Sequence, residues 1–120
     1  MKGHSIRMLL TAAVLATIVL AACGSGTATP QELTVEASDF KFDPVTINLK
    51  AGEPVQATIT NTGTLEHTFT IPDLDVNVSL AAGQTVTIDF TPAEGGTFEL
   101  LCTVPGHKDA GMVGTVVVAP

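Results

Sequence analysis

Four side chains in this sequence could together hold one soft metal ion. Cys102, His107 and Met112 follow one another as Cys-x4-His-x4-Met, so a thiolate, an imidazole and a thioether lie within eleven residues. Beyond residue 22 the sequence contains one other histidine, His67. Two imidazoles and one thiolate in a plane, with a weak axial thioether, form a ligand set typical of mononuclear copper. The residue types therefore predict a copper site made of His67, Cys102, His107 and Met112.

Each of these residues taken alone has a structural explanation. A lone cysteine or histidine can be a satisfied core residue, and a lone methionine commonly fills a gap in packing. Zinc could occupy the same cysteine and histidines, whereas the thioether favours copper. A dinuclear copper centre would need a second loop cysteine, and oxidase or reductase chemistry would need further histidines, which residues 23–120 do not contain. The sequence therefore indicates one mononuclear site and does not indicate an enzyme.

Alternating apolar residues predict the strands that must position these ligands. From Leu33 onward the pattern has a period of two, is rich in Val and Thr, and is interrupted by turn signals such as Ala51-Gly52 and Ala82-Gly83. Such alternation is typical of half-buried strands. Seven or eight short strands predict an all-β fold, an antiparallel Greek-key β-sandwich. The alternating sets are Val45, Ile47 and Leu49; Val55, Ala57 and Ile59; Val76, Val78 and Leu80; Val86, Ile88 and Phe90; Phe98, Leu100 and Cys102; and Val116 and Val118.

The same alternation predicts where two of the candidate ligands point. His67 shares parity with Phe69, and Cys102 shares parity with Leu100. Because alternate side chains of a strand face the same side, both ligands should point into the sandwich. The loop that follows Cys102 could then bring the other two ligands to them.

Two further segments are interpreted without site chemistry. Phe40 and Phe42 are expected to pack in the core; the alternative is that they face a partner protein. The charged run Asp73-Leu74-Asp75 is expected to be a solvated turn.

The first 22 residues resemble the export signal of a bacterial lipoprotein. Lys2 and Arg7 precede an apolar core at residues 8–19, which is too short to span a bilayer. The sequence Leu-Ala-Ala-Cys at residues 20–23 resembles a lipobox. In lipoproteins with this motif, the chain is cut just before the cysteine, and lipid is then attached to that cysteine. We therefore expect a lipidated Cys23. An ordinary cleaved signal with a free Cys23 is the alternative.

The expected organisation is a signal peptide at residues 1–22, a flexible tether at residues 23–32 and one domain at residues 33–120. The exported part carries twelve acidic residues against three lysines, a net charge of −9 with histidine neutral. Such a charge disfavours nucleic acid and would attract a basic partner. We expect a monomer anchored by lipid to the periplasmic or extracytoplasmic face of a bacterial membrane.

Three motifs resemble the cupredoxin family. They are Cys-Thr-x-Pro-Gly-His at residues 102–107, Gly-Met-x-Gly at residues 111–114 and Asn-x-Gly-x3-His at residues 61–67. The likeness covers nearly all of the exported part; it is greatest to the auracyanin type, and rusticyanins and plant phytocyanins share the loop spacing. The resemblance implies a Greek-key sandwich with one type 1 copper, Cu(I) or Cu(II), and outer-sphere electron transfer. It carries over four ligands: His67, Cys102, His107 and Met112.

Two positions depart from the family pattern. Thr68 stands where many relatives have an asparagine that helps to hold the loop, and Leu101 stands where several relatives have an aromatic residue before the cysteine. The aromatic residue is often linked to a second electron route. Its replacement favours the edge of His107 as the place of electron exchange, framed by Val104, Pro105, Ala110 and Val113.

The first functional hypothesis is an electron carrier between membrane-associated partners, such as c-type cytochromes or a membrane oxidase or reductase complex. The alternative is a copper-binding or delivery lipoprotein of the cell envelope, and a third is a structural lipoprotein with a vestigial site. Delivery sites usually have several methionines or histidines in an open cluster. Residues 23–120 contain one methionine and two histidines, all used by the single site. This count favours the carrier.

Overall fold

The computed structural model describes residues 29–120, in which nine strands and one short 3-10 helix follow one another. Residues 1–22 and Cys23, with their predicted signal and lipid attachment, lie outside the described residues. Among residues 29–120 no helix has the length and apolarity needed to cross a bilayer. The elements are β1 (Gln31–Ser38), β2 (Lys41–Asp43), β3 (Thr46–Lys50), β4 (Val55–Asn61), β5 (His67–Ile71), the 3-10 helix (Pro72–Leu74), β6 (Val76–Leu80), β7 (Thr85–Phe90), β8 (Gly96–Leu101) and β9 (Val113–Ala119).

Two sheets form the sandwich, and the predicted all-β fold class is confirmed. One sheet has the strand order β2-β1-β4-β7 and the other has β3-β9-β8-β5-β6. The expectation of a wholly antiparallel arrangement is wrong, because β1 runs parallel to β4 and β3 runs parallel to β9. The chain leaves the first sheet after β2 and returns to it at β4, so β4 enters in the direction of β1. Alternation within a strand carries no information about such neighbours.

The strand count also exceeds the predicted seven or eight. The short strand β2 spans three residues, too few for a period of two to be recognised. Its central residue, Phe42, is buried, whereas Phe40 is 41% exposed and lies outside the core. Core packing was therefore the right expectation for one phenylalanine and the wrong one for the other. Val45 is likewise 57% exposed, because it precedes β3.

The space between the sheets is filled by the predicted alternating side chains. The rings of Phe42 and Phe69, which belong to different sheets, meet edge to face with centroids 6.0 Å apart. Burying an aliphatic or aromatic side chain of this size contributes about 1.5–3 kcal/mol. The fully buried set includes Val35, Ala37, Val55, Ala57, Ile59, Ile71, Leu80, Leu100 and Val116.

One end of the sandwich collects the segments that carry the candidate ligands. β5 begins there at His67, β8 ends there just before Cys102, and β9 begins there just after Met112. The turn between β1 and β2 lies at the same end, since Asp39 contacts His67. The acidic turn at Asp73 and Asp75 follows the other end of β5 and is exposed, as predicted.

Candidate metal centre

Three of the predicted ligands converge at this end of the sandwich. One donor atom from each of His67, Cys102 and His107 lies within 4.8 Å of the other two. The Nδ1 atoms of the two histidines are 3.2 Å apart, and His107 Nδ1 is 3.6 Å from Cys102 Sγ. His67 and Cys102 are fully buried, and His107 is 8% exposed. The inward orientation that parity predicted for His67 and Cys102 is confirmed.

The loop from residue 102 to residue 112 is closed by its own backbone hydrogen bonds. Cys102 N donates to Met112 O at 3.1 Å, and Met112 N donates to His107 O at 3.0 Å. Gly106 and Gly111 have φ values of 84° and 101°, which glycine adopts without the penalty that a Cβ would bring. The loop therefore returns each ligand to the strand ends in a defined conformation. Met112 is fully buried at its end.

Thr68 holds the cysteine from the facing strand. Its backbone N–H points at Cys102 Sγ, with a nitrogen to sulfur distance of 3.3 Å. Its hydroxyl oxygen accepts a hydrogen bond from Thr103 N at 2.8 Å and lies 3.0 Å from Thr103 Oγ1. Thr68 thus holds the loop in the way that the resemblance assigns to asparagine. Hydrogen bonds to a ligating sulfur tune the metal that it binds.

The hydroxyl network continues away from the centre. Thr70 Oγ1 lies 3.0 Å from Thr68 Oγ1 and 3.0 Å from Asn77 Oδ1, so its single proton can be donated to either. Both threonine side chains are buried. The cysteine loop is therefore connected through β5 to β6 by polar groups that have partners.

Asn61 fixes the loop that leads to His67. Its Nδ2 donates to Leu65 O at 2.8 Å and to Leu80 O at 3.0 Å, and its Oδ1 accepts from Gly63 N at 2.9 Å. The side chain is fully buried, and both of its polar atoms have hydrogen-bond partners inside the protein. This explains the Asn-x-Gly-x3-His motif that the sequence carries.

Asp39 contacts the centre and was missed by the sequence analysis. Its Oδ1 lies 3.1 Å from His67 Nε2, the ring nitrogen that faces away from His107. Thr64 donates to the same carboxylate through its hydroxyl, at 2.8 Å, and through its backbone N–H. The Thr64 hydroxyl, with weaker help from Leu65 N and His67, keeps the pKa of Asp39 below its ordinary value of 3.8. The group is therefore a carboxylate at neutral pH.

His107 reaches the surface beside an exposed aromatic residue. The ring of Phe40 packs edge to face on the ring of His107, with centroids 5.0 Å apart and planes at 73°. Pro105 and Ala110 are exposed, and Val104 and Val113 are half-buried, in the segments flanking His107. Phe40, which the sequence analysis did not include in the predicted apolar frame, is thus the apolar residue seen in contact with the ring of His107.

The sequence model of the cupredoxin-like domain family matches residues 9–118 of the chain. The chain belongs to the cupredoxin family. The copper-resistant cuproprotein CopI of Rubrivivax gelatinosus is 35% identical to it over an alignment 106 positions long, which covers 70% of this chain and 63% of that protein. The chain therefore spans less than two thirds of the length of that relative.

Solved auracyanins have the same fold as this cupredoxin. The dithionite-reduced auracyanin of Roseiflexus castenholzii has a TM-score of 0.68 and 23% identity, over 78% of this chain and 99% of that one. Auracyanin A of Chloroflexus aurantiacus has a TM-score of 0.64 and 21% identity, over 75% and 99% of the two chains. The auracyanin-like character that the motifs suggested is confirmed at the level of the fold.

The residues at the centre of this cupredoxin fit a type 1 copper. His67 Nδ1 and His107 Nδ1 are 3.2 Å apart, and His107 Nδ1 and Cys102 Sγ are 3.6 Å apart. Each separation is shorter than two metal–ligand bonds of about 2.0–2.3 Å laid end to end, so one ion can bind both atoms of each pair. A thiolate with two imidazoles, beside a buried methionine, is the donor set that copper takes in this geometry. The cofactor is therefore one type 1 copper.

We predict that Thr68→Val destabilises the metal-free cupredoxin by about 1–3 kcal/mol, because Thr103 N–H loses its acceptor while the shape of the side chain is kept. The free energy of unfolding should be measured in urea. Thr58→Val is the matched control, because the Thr58 hydroxyl bonds only to Thr87 Oγ1 on the exposed face of the other sheet. The control should change the free energy by less than about 0.5 kcal/mol. Equal effects of the two substitutions would contradict the role given to Thr68.

Proposed function

We propose that this cupredoxin carries single electrons between redox partners at the outer side of a membrane. His67, Cys102, His107 and Met112 are the proposed copper ligands. The observation that carries the proposal is the convergence of two imidazoles and one thiol at buried positions within 4.8 Å of one another. When bound, copper supplies one-electron Cu(I)/Cu(II) chemistry. The proposal includes no catalytic residue.

The protein's part in this function is to keep the ligands still. Cu(I) and Cu(II) prefer different geometries, so a site whose ligands move little exchanges electrons with little rearrangement. The donors His67 and Cys102 stand on or beside strands of one sheet, and Thr68 ties their segments together. The closed loop then limits how far His107 can move.

The exposed edge of His107 is the proposed place of electron exchange. It is the candidate ligand with the largest exposed fraction, and the exposed Phe40 packs on its ring. Leu101, half-buried in the position before the cysteine, offers no aromatic side chain for a second route. A partner that docks on the apolar frame would bring its redox group close to the imidazole while water is excluded.

Charge and anchoring support the choice of partner. With its acidic surface the protein should attract a basic face of a c-type cytochrome or of a membrane oxidase or reductase complex. The proposed lipid on Cys23 would keep the carrier at the extracytoplasmic face of the membrane. Tethering there raises its effective concentration near such complexes.

Copper binding or delivery in the cell envelope is the second candidate. It is favoured by the similarity to the Rubrivivax gelatinosus protein, which is named a copper-resistant cuproprotein. Against it, the candidate donors are buried, and hydrogen bonds join the chain segments that carry them. Delivery requires ligands that an acceptor can reach and exchange.

Stopped-flow spectroscopy separates the two candidates. When the protein loaded with Cu(I) is mixed with an oxidised c-type cytochrome, it should transfer its electron rapidly. The rate of electron transfer should fall as ionic strength rises, because the partners are oppositely charged. Cys102→Ser should lose both the thiolate-to-copper colour and the electron exchange. Rapid transfer of copper to a metal-free acceptor, together with slow electron exchange, would instead support delivery.

Met112 is predicted to tune the centre more than it holds it, because the axial bond in such sites is long and weak. Met112→Leu should keep copper and colour and raise the reduction potential, since a donor to Cu(II) is lost. Met112→Gln should lower the potential, because an amide oxygen is a harder ligand. His67→Ala, which removes an in-plane donor, should instead lose copper affinity. Voltammetry with metal analysis would check all three, and unchanged potentials in both Met112 variants would contradict an axial role.

Cys23 is predicted to be the acylated first residue of the exported protein. Mass spectrometry of protein extracted from membranes should show a diacyl or triacyl cysteine. Cys23→Ala removes the residue that would carry the two or three acyl chains, which together bind a membrane far more stably than one chain does. The variant should therefore be released from the membrane or remain unprocessed. An unmodified N-terminus on a protein that does not sediment with membranes would contradict the anchor.

A further inference from the structure

A single turn contacts both candidate histidine ligands. Asp39 and Phe40 are the two loop residues between Ser38 and Lys41, which pair across the β1–β2 hairpin. Asp39 Oδ1 lies 3.1 Å from His67 Nε2, and the Phe40 ring packs on the His107 ring. Neighbouring residues of one short turn thus contact the two imidazoles.

The carboxylate of Asp39 is held independently of the histidine. It accepts from the hydroxyl of Thr64 at 2.8 Å, from Thr64 N at 3.0 Å and from Leu65 N at 3.3 Å. Gly63 leaves the space for it, because a Cβ there would overlap the carboxylate. The hydrogen bonds from Thr64 and Leu65 therefore fix the position of the Asp39 carboxylate without any contribution from His67.

Phe40 adopts a backbone conformation that a phenylalanine rarely takes. Its φ is 63°, in the left-handed region where the second loop residue of such a turn is usually glycine or asparagine. A bulky residue is strained there, and strain of this kind persists where the surrounding structure requires it. In this conformation the ring of Phe40 packs on the ring of His107.

We propose that the Asp39–Phe40 turn is a positioning element for both histidine ligands, and that Asp39 also lowers the reduction potential of the centre. The inference rests on the proposed ligands. A histidine that binds metal through Nδ1 carries its proton on Nε2, and donating that proton to a carboxylate fixes the ring and makes it a stronger donor. A fixed negative charge close to the centre also favours the more positive oxidation state.

The role of Asp39 is tested with Asp39→Asn. The amide keeps an oxygen for His67 Nε2 and removes the charge. We expect the ratio of Cu(II) to Cu(I) affinity to fall about tenfold, which for one electron is a rise of about 59 mV in reduction potential. Glu66→Gln is the matched control, since it removes a charge from the exposed residue before His67. A shift in Asp39→Asn no larger than in this control would overturn the role of Asp39.

A second measurement needs neither copper nor a variant. In the metal-free protein, nitrogen NMR of the imidazoles should show His67 with its proton on Nε2, the nitrogen that faces Asp39. A proton on Nδ1 instead would overturn the hydrogen bond on which the proposal depends.

The role of Phe40 is tested with Phe40→Gly, which suits the left-handed backbone and should fold at least as stably as the wild type. We expect copper to pass to a chelator about tenfold faster, because His107 loses the ring that packs on it. Phe40→Tyr should retain the wild-type rate. A wild-type rate in Phe40→Gly would overturn the role of Phe40.

The failure of this inference is distinguishable from failure of the proposed function. A wild-type protein that binds copper without the intense thiolate-to-copper absorption would overturn the ligand assignment and both proposals with it. Normal absorption and fast exchange with a cytochrome, combined with unchanged potential and unchanged copper release in the turn variants, would overturn only the role of the turn.

Discussion

The contact between Thr68 and the cysteine loop is the interaction on which the rest of the centre depends. Thr68 donates its backbone N–H to Cys102 Sγ, and its hydroxyl accepts from Thr103 N. β5 and β8 share only one pair of facing residues in the ladder, Thr70 and Leu101, so these two hydrogen bonds continue the pairing beyond the point where the strands separate. They join the segment of His67 to the segment of Cys102. Without them, the two donors would stand on strand ends with little to fix their separation.

Three parts of the fold position the residues of the centre: the strands of the second sheet, the closed loop and the hairpin turn of the first sheet. The parallel and antiparallel ladders of the second sheet place His67 and Cys102, and the closed loop places His107 and Met112. The first sheet contributes through the hairpin turn, whose Asp39 and Phe40 meet the two imidazoles. Both sheets thus contribute to one site, and a change in their packing would reach the histidines through the turn.

The sequence predicted the parts of this arrangement that depend on local spacing. Parity alone placed His67 and Cys102 inside the sandwich, because each lies on a regular strand or directly after one. The expectation of core packing was wrong for Phe40, since this residue lies in the left-handed turn between β1 and β2 and is exposed. Asp39 was missed because it lies 28 residues from His67 and meets it only through the pairing of β1 with β4, which no spacing reveals.

The direction of β1 has a consequence for how an anchored form of the protein would stand on a membrane. β1 begins at Gln31, and its last residue leads into the turn at the copper end, so the chain enters the domain at the opposite end. Eight residues of strand at about 3.3 Å each separate the two ends by roughly 25 Å. An upright domain tethered through the residues before Gln31 would present His107 on its far pole, away from the lipid. Electron exchange would then select partners whose docking faces project a comparable height above the bilayer, or would require the domain to tip over on its tether.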